Sequence, residues 1–195
     1  MTAIIDYGVG NIQSIINALN DFNAEYVVTN KISEIDKCSK IILPGVGEAY
    51  YAMQKLKEYN LIDYIKKTEK PLLGICLGMQ LLTDKSEERD TKCLGIIPAQ
   101  TKLFNKSEMI VPHMGWNNIK LSEKELLFSE IPNGTSYYFA NSYYVENNKY
   151  SIAECEYNIK FCVSVKKENF YGIQFHPEKS GNYGIKLLEN FIKLC

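Results

Sequence analysis

What the chain has little of narrows it first. Histidine occurs only twice, at His113 and His176. The six cysteines (Cys38, Cys76, Cys93, Cys155, Cys162 and Cys195) form no Cys-x-x-Cys pair, and none stands with a histidine at zinc-ligand spacing. Neither a structural metal nor a redox dithiol is therefore expected, and no cofactor is read from the sequence. Charge of either sign is not in excess: the formal net charge is -1, and the basic pairs Lys66-Lys67 and Lys166-Lys167 are isolated. That balance argues against nucleic acid or a membrane surface as the main partner. No apolar run approaches the roughly 18 residues of a membrane span. The opening Ala3-Ile4-Ile5 reads as a strand, with no basic segment and apolar stretch of a signal peptide. The expectation is a cytoplasmic protein with reduced thiols.

What is present suits one domain over residues 1–195: 46% of residues are hydrophobic and 23% charged, enough for a sizeable core under a polar surface. The first part alternates strand and helix. Ala3 to Ile5, Glu25 to Thr29, Lys40 to Leu43 and Leu72 to Ile75 read as strands. Helices are expected from Ile12 to Asn20, with Ile12, Ile15, Ile16 and Leu19 on one face, from Glu48 to about Tyr59, and on to Lys67. Such alternation describes a parallel sheet with helices on its faces. After Asp90 short β-like segments take over: Gly95 to Ile97, Gln100 to Phe104, Trp116 to Leu121, Ser136 to Val145, Ser151 to Glu156 and Phe161 to Val165, the last two within a hairpin from Tyr150 to Val165 turning near Tyr157-Asn158. A strand from Tyr171 to Phe175 and an amphipathic helix from about Asn182 to Leu194 follow. The fold class expected is single-domain α/β, a central mostly parallel sheet flanked by helices, with an additional antiparallel β region.

Three stretches carry chemistry. Pro71 to Gln80 runs from an apolar strand into Gly74-Ile75-Cys76-Leu77-Gly78 and then a helical segment, Met79 to Thr83. This is a cysteine form of the nucleophile elbow, in which a sharp strand-to-helix turn exposes the nucleophile. Gly74 and Gly78 let neighbouring backbone approach the turn, and a helix N-terminus favours a thiolate. Taken alone, the motif fits a buried structural cysteine about equally well. A thiol nucleophile needs a base and the base an orienting acceptor. His176, just past a strand with Glu178 two residues on, fits that pair. An oxyanion hole would need the N–H of Leu77 and a second from a flexible segment, for which Gly45, Val46 and Gly47 in Pro44-Gly45-Val46-Gly47 are placed at the end of a neighbouring strand.

The elbow, the Pro-Gly-Val-Gly loop and Gln-Phe-His-Pro-Glu-Lys-Ser-Gly (174–181) resemble class I, triad-type glutamine amidotransferases. Asp-Tyr-Gly-Val-Gly-Asn (6–11) and Pro-His-Met-Gly-Trp-Asn (112–117) resemble, within that class, the family of glutaminase subunits of imidazole glycerol phosphate synthases, and the similarity runs from the first strand to the last helix. The resemblance implies a triad of Cys76, His176 and Glu178 that hydrolyses glutamine to glutamate and ammonia through a glutamyl thioester. It implies substrate contacts at Gln80, Glu88, Ser142 and Tyr143. It also implies a heterodimer with a (βα)8 barrel cyclase docked at Asn11 and Trp116, which receives the ammonia and makes imidazole glycerol phosphate and AICAR in histidine biosynthesis. His113 reads as interface or structural. In one respect the chain departs from the family pattern: Asn141 stands where histidine is usual. The alternatives are ammonia supply to a barrel-like partner for amidino-sugar synthesis, or a non-catalytic regulatory role.

Overall fold

A computed structural model describes residues 1–122 and 124–195. Its first part winds strands and helices alternately: β1 (Thr2–Ile5), α1 (Ile12–Asn20), β2 (Tyr26–Thr29), a single-turn α2 (Ile32–Ile35), β3 (Lys40–Leu43), α3 (Ala49–Glu58), α4 (Leu61–Lys67), β4 (Leu72–Ile75) and the short α5 (Leu77–Leu81). The strands are continuous apolar runs because both of their faces are covered. Ala3, Ile5, Ile41, Leu43 and Leu72 pack toward α3 and α4, through Ala52, Met53, Leu56, Leu61 and Ile65. Ile4, Ile42, Leu73 and Ile75 point the other way, onto Ile15, Ala18 and Leu19 of α1 and onto Leu187, Leu188 and Phe191 of the last helix.

The rest of the chain is mainly strand: β5 (Thr83–Ser86), β6 (Thr91–Lys92), β7 (Ile97–Leu103), β8 (His113–Leu121), β9 (Ser136–Asn141), β10 (Tyr143–Val145), β11 (Ser151–Tyr157), β12 (Ile159–Lys167) and β13 (Phe170–Ile173), closed by α6 (Gly181–Leu194). The principal path is β2-β1-β3-β4-β13-β12-β10-β7-β5-β6, with β11, β8 and β9 branching from β12. From β2 to β13 all neighbours are parallel. From β13 onward pairing is antiparallel except for β5 with β7. The single-domain α/β class read from the sequence holds: a parallel sheet with helices on both faces and an antiparallel extension.

Several elements differ from expectation. The elbow helix covers Leu77–Leu81 where Met79 to Thr83 was expected, and Thr83 already opens β5. Gly95 to Ile97 and Gln100 to Phe104 merge into one strand beginning at Ile97, because β5 and β10 pair along its length. Ser136 to Val145 is divided at Ser142: β9 pairs with β8, whereas β10 leaves to join β7 and β12. The hairpin turns at Asn158, in the left-handed region at φ 58° that asparagine tolerates.

Candidate active site

The site forms at the carboxyl ends of β3, β4 and β13, where parallel strands bring their following turns together. Cys76 leaves β4 with φ 53° and ψ -110°, a conformation that costs a non-glycine residue strain. Its backbone is held by a bond to the Ile173 carbonyl of β13 at 2.8 Å. The strained turn persists because its neighbours allow no other path. A Cβ at Gly74 would come within 2.6 Å of the Gly78 carbonyl oxygen, and one at Gly78 would strike the Leu43 carbonyl oxygen of β3. Gly45 packs from behind, where a Cβ would meet Gly78 N at 2.6 Å. Three glycines thus let β3, its loop and the elbow touch backbone to backbone.

Tyr7, wholly buried in the turn after β1, donates its hydroxyl to the Pro44 carbonyl at 2.6 Å, tying that turn to the start of the Gly45–Gly47 loop. Burial and the neighbouring Cys76 push the Tyr7 hydroxyl far above its ordinary range, so it remains a donor. Asn11, at the end of the same turn, is exposed and caps α1, its side-chain oxygen accepting from Ser14 N at 3.4 Å.

His176 and Glu178 lie together past β13. His176 Nδ1 is 2.8 Å from Glu178 Oε1, and both side chains are buried. The histidine backbone is fixed by its N–H to Tyr138 O at 2.9 Å, and its carbonyl accepts from Ser180 Oγ at 2.6 Å. Burial alone would disfavour the imidazolium. Its contacts with Cys76 and Glu178 outweigh that cost, so His176 is held well above its ordinary value.

A cavity of about 410 Å³ joins these parts: Cys76, Leu77, Val46, Gly47, Gln80, Glu88, Ser142, Tyr143 and His176 all contribute to its wall. Of the residues singled out in the sequence, Gly45 lies behind the wall and Glu178 behind the histidine. Glu88 reaches across to the N-terminus of α3, where its Oε2 accepts the Ala49 N–H at 2.7 Å, while Arg89 pairs with Glu48. Desolvation raises the Glu88 carboxyl, the Ala49 N–H pulling it back only in part. Gln80 is buried and sends its amide hydrogens to Tyr143 O at 3.0 Å and Gln174 Oε1 at 2.9 Å.

Trp116 is 59% exposed and Met114 beside it 64%, both on the outward face of β8. Their cross-strand partners Tyr138 and Ala140 continue an apolar stripe toward the cavity mouth, where Ala140, Pro112 and Lys179 stand. His113 points inward instead, sandwiched between Phe139 at 4.8 Å and Tyr157 at 4.1 Å. Burial lowers it to about 4, so it is neutral at physiological pH.

Sequence reasoning gave no individual role to Gln174, Tyr7 and the rim residues Pro112, Ala140 and Lys179, although most of them stand inside the motifs it quoted. A signal existed for Gln174, a polar residue inside the apolar stretch Tyr171 to Phe175 that is wholly buried here. Among the described residues no group of three or more His, Cys, Asp or Glu is placed to hold a metal ion.

The class-I glutamine amidotransferase family matches residues 3–195. The chain is 48% identical over 200 residues to the imidazole glycerol phosphate synthase subunit HisH 2 of Methanococcus maripaludis, covering 99% of each protein. It is 45% identical over 195 residues to the protein of the same name from Legionella pneumophila, covering 100% of this chain and 98% of that one. Among solved structures, a glutamine amidotransferase crystal structure superposes with a TM-score of 0.75 at 16% identity, covering 97% of this chain and 98% of that one. A glutamine amidotransferase from Thermotoga maritima gives 0.64 at 20% identity over 98% and 80%. These two likenesses speak to the fold.

Proposed function

This chain belongs to the class-I glutamine amidotransferase family, and on that premise we propose that it is the glutaminase subunit of an imidazole glycerol phosphate synthase. The observation that carries the chemistry is His176, paired with buried Glu178 at 2.8 Å, lining one cavity with a conformationally strained Cys76.

In this reading Cys76 passes its proton to His176 and attacks the side-chain amide carbon of glutamine. The carbonyl electrons move to oxygen, which is met by the N–H of Leu77 and by the backbone of the Gly45–Gly47 loop. Collapse of that intermediate breaks the C–N bond as the imidazolium protonates the leaving nitrogen, giving ammonia and a thioester. His176 then takes a proton from water, which attacks the thioester and releases glutamate and the thiolate. Glu178 holds the ring at Nδ1 so that Nε2 serves the reaction. Gln80, with both amide hydrogens engaged, meets the substrate through its oxygen. Glu88 supplies a carboxylate for the substrate ammonium, and the backbone at Ser142 and Tyr143 lines its other side.

The partner is a (βα)8 cyclase barrel that docks on the stripe of Met114, Trp116 and Tyr138 and on the Asn11 turn, and it receives ammonia at the rim where Asn141 stands. The place of work is the cytoplasm, and no described helix is long and apolar enough to cross a membrane. Amidino-sugar synthesis and a non-catalytic role are not favoured, since full-length relatives are synthase subunits. The test is glutamate release from glutamine by the protein alone, with the cyclase barrel, and with the barrel plus its ribonucleotide substrate. Strong stimulation in the third condition, lost in Cys76→Ala by roughly 10⁴-fold or more, is expected. Absence of stimulation with Cys76 still reactive would assign the ammonia elsewhere.

A further inference from the structure

An unbroken line of amide groups runs from the cavity wall, at Asn141 and Gln80, inward to Gln174, a residue that hydrolysis by the triad leaves without a role. Gln174 Nε2 is 3.6 Å from Cys76 Sγ, and its Oε1 lies 2.9 Å from Gln80 Nε2. Gln80 Nε2 also donates to the Tyr143 carbonyl at 3.0 Å, and that carbonyl accepts from Asn141 Nδ2 at 2.9 Å. Gln174 is wholly buried, Gln80 and Asn141 nearly so.

The orientation of each amide follows from its partners. A backbone carbonyl only accepts, so Gln80 and Asn141 must both turn their nitrogens toward Tyr143. The second hydrogen on Gln80 Nε2 then calls for the oxygen of Gln174. With its oxygen so engaged, Gln174 presents its nitrogen, and hence an N–H, to the sulfur.

We propose that Gln174 is a further catalytic residue of the glutaminase reaction, its amide N–H donating to Cys76 Sγ and stabilising the thiolate that attacks the substrate. The Tyr143 carbonyl, acting through Gln80, is the fixed point that keeps this donor aimed. The proposal rests on Cys76 being the nucleophile. When His176 removes the thiol proton, negative charge on sulfur is met by the imidazolium and by this neutral donor. As the S–C bond forms, charge leaves sulfur for the carbonyl oxygen and the contact weakens. It returns when water displaces the thiolate from the thioester. Gln174 therefore sets how much thiolate is present, at some cost to the reactivity of each thiolate.

That trade-off separates a chemical role from a structural one. The experiment is alkylation of Cys76 by iodoacetamide as a function of pH, resolved from the other cysteines by peptide mass spectrometry, on folded wild type, Gln174→Met and Gln174→Glu. Methionine keeps length and removes the N–H. Glutamate keeps an acceptor for Gln80 and sets a carboxylate against sulfur. The expected result for Gln174→Met is a pH midpoint about one unit higher, the scale of one hydrogen bond to a charged group. Its rate on the alkaline plateau rises by about 3-fold, as a more basic thiolate is the better nucleophile. Gln174→Glu shifts the midpoint further in the same direction.

If Gln174→Met does not fold, Gln80→Met tests the same relay by freeing the Gln174 amide to turn, with a smaller shift of the same sign. An unchanged midpoint in folded variants overturns the proposal. A separate control distinguishes its premise: wild type that forms no Cys76 adduct with a diazoketone analogue of glutamine, with the barrel present, refutes the nucleophile and not merely the donor.

Discussion

The two walls of the cavity are built on opposite principles. On the elbow side, position is set by backbone against backbone: Gly74, Gly78 and Gly45 leave no room for a side chain, and Cys76 is strained because everything around it is close. On the facing side, from Ala140 to Tyr143, position is set by side-chain amides, with Asn141 and Gln80 sharing one carbonyl. Steric placement tolerates no change and responds to little. Hydrogen-bonded placement is softer, and its parts can be removed one at a time. The wall that carries Cys76 is the rigid one, and the wall nearer the exposed stripe of Met114 and Trp116 is the adjustable one.

Substitutions can break this contrast, and the largest effect should come from the elbow. Gly78→Ala puts a methyl against the Leu43 carbonyl. Loss of about 3 kcal/mol of stability is expected in urea unfolding, together with loss of glutaminase activity. Normal stability and activity would mean that the elbow gives way more easily than its packing implies. Glu178→Gln comes next. It leaves both walls in place and withdraws the negative charge from Nδ1, so kcat should fall by about 10²-fold with KM and melting temperature little changed.

The third effect belongs to the support of the softer wall. His113 sits opposite Asn141 in the β8–β9 register and is neutral in the fold, its value lowered to about 4 by burial. Unfolded, it would take a proton near the ordinary value of about 6.5. Its contribution is thus complete above about pH 6.5 and fades as pH falls toward 4. Wild type should lose about 2 kcal/mol more between pH 7.5 and 5.0 than His113→Phe does, read from urea unfolding. An equal loss would place the acid sensitivity elsewhere. The smallest effect is expected of Asn141→Ala, because Tyr143 O keeps Gln80. A several-fold drop in kcat/KM and about 1 kcal/mol of stability are expected. A loss as deep as that of Gly78→Ala would erase the distinction between the walls.

The rigid wall was also the more legible in sequence. Lys40–Leu43 and Leu72–Ile75 are short apolar runs bounded by glycine and proline, and their strand identity, the elbow after β4 and the loop after β3 follow from local pattern. β5 was missed because Thr83-Asp84-Lys85-Ser86 has neither apolar alternation nor β-branched enrichment. It is a strand only because β7 and β6 pair with it. The break at Ser142 left no trace either, since Ser136 to Val145 keeps a strand-like composition while its pairing partners change. The Gln80–Gln174 contact spans 94 positions, and only the return of β13 beside β4 creates it.

That return has a consequence for the order in which the molecule is assembled. β13 lies between β4 and β12, so the centre of the sheet is filled by a segment that leaves the ribosome long after β4. Gln174 and Cys76 are 98 residues apart in the chain, and His176 comes just after Gln174 in the same stretch. Long-range closure of this kind is slow and comes late in folding. Until it happens the Cys76 thiol has neither the His176 imidazole nor the Gln174 amide beside it. The cavity around Cys76 is therefore completed in one step, with the docking of four residues, Phe170–Ile173, and the turn behind them.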